Sequence, residues 1–236
     1  TYPDGTVALR NLNVSFELSE RIAILGEVGS GKSTLLRLLA GEYPPSRGRI
    51  WVEDEFGRLA SLWEVGVYDR VRATLAFVPQ EPFVAHDLFR RNITLSDEEL
   101  ESKMVEAAYF AELEADLASF PNGFDQEIGE SGVNLSGGQR QRLNLARAIY
   151  SERPHLLLDD TLSAVDGKTE VRLVRRLVDR KGGFILVTHR TRELRSVDRV
   201  VVLKEGSVAE AGAYRELLAE PTSHLNRILR AYGESQ

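Results

Sequence analysis

The sequence predicts an α/β fold with a mostly parallel sheet, and two groups of short apolar segments indicate it. The first is residues 22–25, which are apolar on both faces, as in a covered strand, and precede a glycine-rich loop and a leucine-rich helix. The second group is three apolar runs separated by a helical stretch and a loop: 156–158, 184–188 and 200–203. Such alternation is typical of a parallel sheet with helices packed against it.

The segments between these runs predict the remaining elements. Residues 12–18 alternate between apolar and polar side chains, which predicts a half-exposed strand. The stretch 46–76 contains turn residues and scattered aromatics, so short antiparallel strands are expected there. From about residue 86 to about residue 150 the pattern becomes helical. An amphipathic helix is predicted at the end of the chain, with its apolar side formed by Leu225, Ile228, Leu229 and Tyr232.

These elements divide one predicted domain, residues 1–236, into two parts. A core with an antiparallel β subdomain comprises about 1–85 and 151–236, and an inserted α-helical subdomain comprises about 86–150. The apolar content of 42% suffices for one sizeable core. Because the chain starts at Thr1 rather than Met, we expect it to be a domain of a longer polypeptide.

Composition narrows the possible functions. The net charge of -6 disfavours a dedicated nucleic-acid binder, because phosphate backbones attract basic surfaces. The absence of cysteine excludes disulfides, zinc-thiolate sites and thiol catalysis. No apolar run approaches the length that a bilayer crossing needs, and no secretory signal opens the chain. A soluble, cytoplasmic piece is therefore expected.

A glycine-rich loop follows the first covered strand. Residues 26–34, GEVGSGKST, fit the phosphate-binding pattern G-x-x-x-x-G-K-[ST] in a strand, loop, helix context, which predicts a phosphate-loop NTPase core. Its glycines let backbone N–H groups face an anion, Lys32 would reach the terminal phosphates, and Ser33 would ligate Mg²⁺. The alternative is a turn that only joins a strand to a helix. The residues assigned to nucleotide binding here are Glu27, Val28, Gly29, Ser30, Gly31, Lys32, Ser33 and Thr34.

Two further motifs carry polar residues at the ends of predicted elements. LSGGQ, residues 135–139, precedes a helix, so Ser136 and the glycine N–H groups are expected to form a second anion-binding helix start. Ser136 could equally be an ordinary helix cap. LLLDD, residues 156–160, ends an apolar strand on two carboxylates, Asp159 and Asp160. Together with the glycine-rich loop, LSGGQ therefore gives the chain two predicted phosphate-binding sites.

Six motifs occur in the order found in the nucleotide-binding domain of ATP-binding cassette (ABC) transporters, which the chain resembles over nearly its whole length. They are the phosphate loop, Gln80 in FVPQEPF, LSGGQRQR, LLLDD, SAVD at 163–166 and His189 in VTHR. The resemblance implies ATP and Mg²⁺ as ligands. It also implies a head-to-tail dimer, in which the LSGGQ signature of one subunit closes over the ATP held by the phosphate loop of the other.

The resemblance also assigns roles to single residues. Tyr2 matches the aromatic that stacks on adenine, a contact worth about 1 to 3 kcal/mol, unless it is only a surface aromatic near a chain end. Gln80 would contact Mg²⁺ and the attacking water, and Asp159 would hold Mg²⁺ through water. His189 would contact the γ-phosphate, while Asp166 would lie at the dimer contact or cap a helix. The signature residues assigned to the partner's ATP are Ser136, Gly137, Gly138 and Gln139.

One position departs from the family pattern. After the Mg²⁺ carboxylate the family normally has Glu, which polarises the attacking water, but this chain has Asp160, one methylene shorter. A misplacement near 1 Å can cost about a hundredfold in rate, so we expect ATP binding with slow hydrolysis at this chain's own site. The intact signature could complete an active site in a non-identical partner, as in one half of a heterodimer. A symmetric homodimer is the alternative.

Other segments of the sequence concern the direction of transport and the partners of the chain. Residues 126–139 are similar to the segment that exporters of the family place before the signature, where Glu130 would face the membrane domain. Residues 53–72 lack the short Asp-Gly turn usual in these exporters, so the resemblance does not predict the backbone shape of this segment. The resemblance implies the ATPase motor of an exporter at the cytoplasmic face of a membrane. Its partners would be a transmembrane domain and a second nucleotide-binding domain, and no nucleic acid.

Three other classes of protein share some of these sequence features. A phosphate-loop GTPase is disfavoured, because no Asn in the chain is followed by the Lys of a guanine-reading motif. An ATP-sensing regulatory module remains an alternative, since Asp160 weakens hydrolysis. A soluble ABC-type ATPase not engaged in transport is the other alternative, although the long insertions or basic arms usual in such proteins are missing.

Overall fold

The computed structural model describes residues 1–96, 100–129, 132–190 and 192–231. Glu130 and Tyr232, for which the sequence predicts roles, lie outside the described residues. The strands are β1 (Arg21–Gly26), β2 (Trp51–Glu53), β3 (Leu59–Ser61), β4 (Leu75–Val78), β5 (Asp87–Leu88), β6 (Glu127–Ile128), β7 (His155–Asp159), β8 (Phe184–Val187), β9 (Arg199–Lys204) and β10 (Ser207–Ala213). The α-helices are α1 (Lys32–Leu39), α2 (Val67–Thr74), α3 (Phe89–Thr94), α4 (Glu101–Phe110), α5 (Glu114–Ser119), α6 (Gly137–Tyr150), α7 (Gly167–Asp179), α8 (Tyr214–Ala219) and α9 (His224–Ala231).

A six-stranded sheet has the order β10-β9-β1-β8-β7-β4. β9, β1, β8 and β7 pair in parallel, and β10 pairs antiparallel to β9. The central strand β1 is almost completely buried, because neither of its faces meets water. The predicted α/β fold with a mostly parallel sheet is therefore confirmed. Its apolar core contains Ile22, Ile24, Leu35, Leu36, Leu75, Leu157, Ile185, Val187, Val201 and Leu203.

The sheet places three strand ends at one edge. In the parallel register Ile24 lies beside Val187, and Asp159 lies beside Val187 on the other side. Carboxyl ends of neighbouring parallel strands point the same way, and ligands of such sheets bind outside these ends. The glycine-rich loop after β1, the carboxylate that ends β7 and the segment after β8 therefore share one edge.

The strand predicted over 12–18 is not formed, because this segment enters no strand ladder. The exposure nevertheless alternates as expected, and Leu12, Phe16 and Leu18 pack against the core. Alternating side chains require only an extended backbone beside an apolar surface. They do not specify a neighbouring strand for backbone hydrogen bonds, so the prediction of a strand over 12–18 was wrong.

The stretch 46–76 contains one antiparallel pair, β2 with β3, as predicted. It also contains the helix α2, which was not predicted. The helix has a narrow apolar side, with Val67 buried and Val71 packed against the core one turn later. Two apolar residues at i and i+4 give too weak a periodicity to distinguish a helix from short strands.

Two compact units divide the chain. The first comprises Thr1–Phe77, Pro154–Asp159 and Gly182–Gln236, and the second comprises Val78–Arg153 and Asp160–Lys181. Helices α3 to α7 belong to the second unit, where α6 carries a buried apolar side that includes Leu143, Leu145 and Ala146. In the part of the chain that the structure describes, no helix combines the length and apolar character that a bilayer crossing requires.

An ion pair joins the start of β1 to the turn before β9, and we expect it to stabilise the fold in a pH-dependent way. Asp198 accepts from Arg21 Nη2 at 2.7 Å, Nε at 2.9 Å and the backbone N–H at 3.0 Å. These bonds hold the pKa of Asp198 below its usual value. The two side chains are 34% and 41% exposed, so solvent screening limits the contribution. Asp198→Asn should lower the free energy of unfolding by only about 0.5 to 1 kcal/mol at neutral pH.

The sign of the pH dependence follows from the lowered pKa of Asp198. Its contribution is present above the ordinary aspartate pKa of about 4 and is lost as the pH falls through the lower folded-state value. Urea unfolding of both proteins from pH 7 downward should therefore show a difference that vanishes in acid. Asp179→Asn is the control, because its carboxylate lies 3.8 Å from Arg175 in a more exposed pair. An equal loss of stability in the control would contradict the prediction.

Candidate functional site

The loop between β1 and α1 adopts a backbone conformation that only glycine accepts readily. Gly29 has φ of +80° and Gly31, the residue before the first turn of α1, has φ of +98°. A Cβ atom at Gly31 would lie 2.6 Å from the carbonyl oxygen of Ala8, so a side chain is excluded on steric grounds as well. The first N–H groups of an α-helix have no partner within the helix. The loop and helix start therefore form an anion-binding cradle.

Lys32 is buried inside this loop, where its ammonium group is held by backbone carbonyl oxygens. Nζ donates to Gly26 O and to Glu27 O, each at 2.8 Å. The residue is only 6% exposed. A cation held this way adds its charge to the positive end of α1, so both favour a phosphate group at the same place.

Ser33 and Asp159 meet at the shared edge of the sheet. Ser33 Oγ donates to Asp159 Oδ1 at 2.9 Å, and Asp159 is fully buried at the end of β7. Hydroxyl and carboxylate oxygens are the hard donors that Mg²⁺ prefers, usually completed by water and substrate phosphates. The residues present therefore fit Mg²⁺, with Ser33 and Asp159 as its protein contacts.

A cavity of about 310 Å³ opens beside the phosphate loop. Tyr2 borders it, and the Tyr2 hydroxyl lies 2.8 Å from Thr34 Oγ1 and 3.5 Å from the Tyr43 hydroxyl. The hydrogen bond to Thr34 lowers the pKa of Tyr2. A ring anchored next to the loop is placed to pack against a base whose phosphates occupy the loop. The cavity is lined by Tyr2, Thr6, Val7, Ala8, Gly29, Gly31, Lys32, Ser33 and Thr34.

The other predicted residues of the first unit lie around this loop and edge. Val28 is 91% exposed at the tip of the loop, whereas Ser30 is buried. Glu27 is exposed, and it contributes its backbone carbonyl to Lys32. His189 is half-buried two residues after β8, at the shared edge of the sheet. The structure thus gathers backbone groups and side chains from β1, α1, β7 and β8 in one region.

In the second unit, LSGGQ forms the start of α6. Ser136 Oγ accepts from the Gln139 N–H at 3.2 Å, and the Ser136 N–H donates to Gln139 Oε1 at 2.7 Å, which is a complete capping box. The helix-cap alternative for Ser136 therefore holds. It does not compete with anion binding, because the hydroxyl oxygen accepts in the cap while the hydroxyl hydrogen can still be donated.

One residue that supports this helix start, Asp116 on α5, was missed in the sequence. Gln139 Nε2 donates to Asp116 Oδ1 at 2.7 Å, and Asp116 Oδ2 also pairs with Arg142 Nη1 at 2.6 Å. Gln139 and Arg142 are three residues apart, so they share one side of α6. The three-residue spacing of Gln139 and Arg142 can be seen in the sequence, but the fact that both contact an acidic residue on α5 cannot.

Gln80, Asp160 and Asp166 are also in the second unit. Gln80 is exposed two residues after β4. Asp160 has φ of +46°, a left-handed conformation that Asp tolerates better than most residues. Asp166 caps α7, with Oδ1 accepting from the N–H groups of Lys168 and Thr169, each at 3.1 Å. Its bonds to Thr169 lower the pKa of Asp166.

The parallel sheet, the glycine cradle and the Lys32, Ser33 and Asp159 arrangement define a phosphate-loop nucleotide-binding domain. The family model described as "ABC transporter" matches residues 9–163. The chain therefore belongs to the ABC transporter family.

Individual relatives agree with this assignment. The mitochondrial iron-sulfur clusters transporter ATM1 of Chaetomium globosum is 36% identical over 222 residues, which cover 92% of this chain and 36% of the relative. The ATP-dependent lipid A-core flippase of Neisseria meningitidis serogroup B is 37% identical, covering 92% of this chain and 34% of the relative. A solved bacterial Atm1-family ABC exporter with ATP bound has a TM-score of 0.87 at 29% identity, covering 100% of this chain and 41% of that one.

The chain thus spans little more than a third of the length of the two curated relatives. The resemblance to ABC nucleotide-binding domains, inferred from the six motifs, is confirmed. The role of Asp160 and the non-identical partner stay predictions.

Tyr2 offers a direct test of the base-binding role. Tyr2→Ala should weaken ATP binding by the value of one stacked base, about 1 to 3 kcal/mol, which is about 5- to 150-fold in affinity. Tyr2→Phe keeps the ring and loses only the hydroxyl contacts to Thr34 and Tyr43, so its affinity should stay within about threefold. Titration calorimetry with ATP would measure both.

Tyr43→Phe is the matched control, since Tyr43 contacts Tyr2 edge to face with ring centroids 6.4 Å apart and does not line the cavity. Wild-type affinity in Tyr2→Ala would mean that Tyr2 is only a surface aromatic.

Proposed function

We propose that the chain is the ATP-binding and ATP-hydrolysing motor domain of an ABC exporter. The observation that carries the proposal is the buried Lys32 inside the glycine loop, with Ser33 Oγ 2.9 Å from the buried Asp159. This arrangement suits a triphosphate with Mg²⁺. The printed names of the relatives, a transporter, a flippase and an exporter with ATP bound, support the transport role.

Different residues of the chain have different roles at the proposed site. Loop amides and Lys32 bind the triphosphate and fix its orientation, and Tyr2 holds the base. Ser33 and Asp159 would hold Mg²⁺, which would supply positive charge that stabilises the phosphates. Asp160 orients the attacking water, aided by Gln80, and His189 contacts the γ-phosphate. These last three assignments follow the family motifs at the matching positions.

The motor step is the pairing of two such domains. In the proposed head-to-tail dimer, Ser136, Gly137, Gly138 and Gln139 of one domain close over the ATP of the other, with Asp166 at the contact. ATP drives closure only if it binds the closed state more tightly than the open one. Hydrolysis and phosphate release then reopen the dimer at the cytoplasmic face of the membrane, and a transmembrane domain converts the motion into transport.

Asp160 favours a non-identical second domain, because a short carboxylate predicts slow hydrolysis at this chain's own site while the signature stays intact. The same residue favours one other candidate function, an ATP-sensing module that closes without rapid turnover. ATPase turnover in vesicles with the cognate membrane domain separates the two. Turnover that rises when transport substrate is added supports the motor, whereas ATP-dependent pairing with no turnover supports the sensor.

Ser136→Asp tests the signature role separately from the helix-cap role. Asp is as good a helix cap as Ser, so the free energy of unfolding should change by no more than about 0.5 kcal/mol. Its negative charge would face the partner's γ-phosphate, and ATP-dependent pairing with the counterpart domain should weaken at least about tenfold. Analytical ultracentrifugation with and without ATP would measure the pairing.

Ser136→Thr is the control, because Thr keeps both the cap and the hydroxyl donor. Wild-type pairing in Ser136→Asp would show that Ser136 is a cap and nothing more.

A further inference from the structure

Gln141 is a buried amide that none of the predicted roles uses. It lies on α6, two residues after Gln139, and is only 6% exposed. Its side chain reaches the loop 160–164 and makes hydrogen bonds in both directions. Nε2 donates to Ser163 Oγ at 3.0 Å and to Asp160 O at 3.5 Å, and Oε1 accepts from the Ala164 N–H at 2.9 Å. A primary amide is the group that can donate and accept at once from one position.

The loop that Gln141 contacts starts in an unfavourable backbone conformation. Asp160 has φ of +46°, where L-residues with side chains are uncommon. Ser163 Oγ donates to Asp160 O at 2.8 Å, and the Ser163 N–H donates to the same oxygen at 3.2 Å. A directional chain therefore runs from the Gln141 amide through the Ser163 hydroxyl to the Asp160 carbonyl. Such a backbone conformation persists only where several surrounding contacts hold it in place.

A backbone contact joins α6 to the same loop independently of the amide. A Cβ atom at Gly138 would lie 2.7 Å from Ala164 O, so only glycine lets the helix start approach this closely. The loop is thus fixed to α6 at two points, by the close approach at Gly138 and by the hydrogen bonds of Gln141.

We propose that Gln141 is a positioning residue that holds the loop 160–164 and thereby sets the direction of the Asp160 carboxylate. The inference rests on the proposed function, in which Asp160 orients the attacking water. It adds that α6, whose first residues serve the partner's ATP, also fixes the carboxylate that serves the chain's own ATP. One side chain therefore links the two nucleotide sites of the dimer.

The loop-holding part is tested by hydrogen exchange on the whole chain. Gln141→Met keeps the volume of the side chain and removes every hydrogen bond. Asn144→Leu is the matched control, because Asn144 is a buried amide on the same helix that donates instead to Phe83 O and Arg140 O. Amides of 163–165 should exchange at least about tenfold faster in Gln141→Met and at the wild-type rate in Asn144→Leu. Unchanged exchange in Gln141→Met would overturn the proposal.

The positioning part is tested by ATP turnover with the counterpart domain. Gln141→Met should lower kcat about tenfold with KM within about twofold, because it disturbs the water-orienting group and leaves the phosphate loop intact. In an Asp160→Asn background the same substitution should have no further effect, since Gln141 acts only through the Asp160 carboxylate, which is absent there. An equal decrease in both backgrounds, or wild-type kcat together with faster loop exchange, would overturn it.

Two separate outcomes distinguish this proposal from the proposed function. Turnover of the wild type no greater than that of Lys32→Ala would reject the ATPase function, and with it the role of Gln141 in hydrolysis. The exchange measurement needs no turnover, so it still decides whether Gln141 holds the loop.

Discussion

Lys32→Ala is expected to weaken ATP binding about 10- to 150-fold and to abolish measurable turnover. The ammonium group is buried and held by the carbonyl oxygens of Gly26 and Glu27, so its charge is fixed where the loop amides converge. A hydrogen bond to a charged group is worth about 1.5 to 3 kcal/mol, which converts to that range of affinity. Titration calorimetry with ATP measures the effect directly.

Arg37→Ala is the appropriate control. Arg37 is a cation on the same helix, but it is 41% exposed, lies 3.8 Å from Glu42 and does not line the cavity. Its loss should change ATP affinity less than about twofold, because an exposed charge is screened. Thermal unfolding of both variants would show whether loss of the buried lysine only destabilises the fold. Unchanged affinity in a folded Lys32→Ala protein would remove the basis of the proposed site.

Asp160→Glu is expected to raise ATP turnover at this chain's own site by about ten- to a hundredfold. The longer side chain restores the reach of the residue that the family normally has there, and a displacement near 1 Å changes such rates by about two orders of magnitude. Glu tolerates the left-handed backbone of residue 160 less well than Asp, so a small decrease in stability should accompany the gain. Steady-state phosphate release from the reconstituted dimer measures turnover.

The control for this prediction is Asp125→Glu, the same chemical change at an exposed carboxylate paired with Arg90. It should leave turnover unchanged. An Asp160→Glu protein with turnover equal to or below the wild type would contradict the slow-site prediction. In that case the symmetric homodimer would become the better description.

The parallel core was predictable because its strands are short apolar runs between recognisable loops. β7, β8 and β9 fall where the runs 156–158, 184–188 and 200–203 predict them. The failures have a common cause. Residues 12–18 have the side-chain alternation of a strand without a backbone partner, and α2 has too narrow an apolar side to reveal a helix. Both outcomes depend on tertiary neighbours, which a local pattern does not contain.

The candidate site was predictable where a motif fixes both residue type and spacing. The motifs alone indicate Lys32, Ser33 and Asp159, and the structure places Ser33 against Asp159. Gln141 and Asp116 were missed, since their partners lie 19 to 23 positions away in the chain: Gln141 with Asp160, Ser163 and Ala164, and Asp116 with Gln139. Such contacts are created by folding and leave no local signal.

The capping box at Ser136 has a consequence for the energetics of pairing. Both ends of the Gln139 side chain are already committed, Oε1 to the Ser136 N–H and Nε2 to Asp116. Immobilising a side chain on association usually costs about 0.5 to 1.5 kcal/mol of rotational freedom, and here that ordering is complete before the partner arrives. In the proposed dimer, the free energy gained when Gln139 contacts the partner's triphosphate would therefore favour pairing, with little of it offset by the ordering of this side chain.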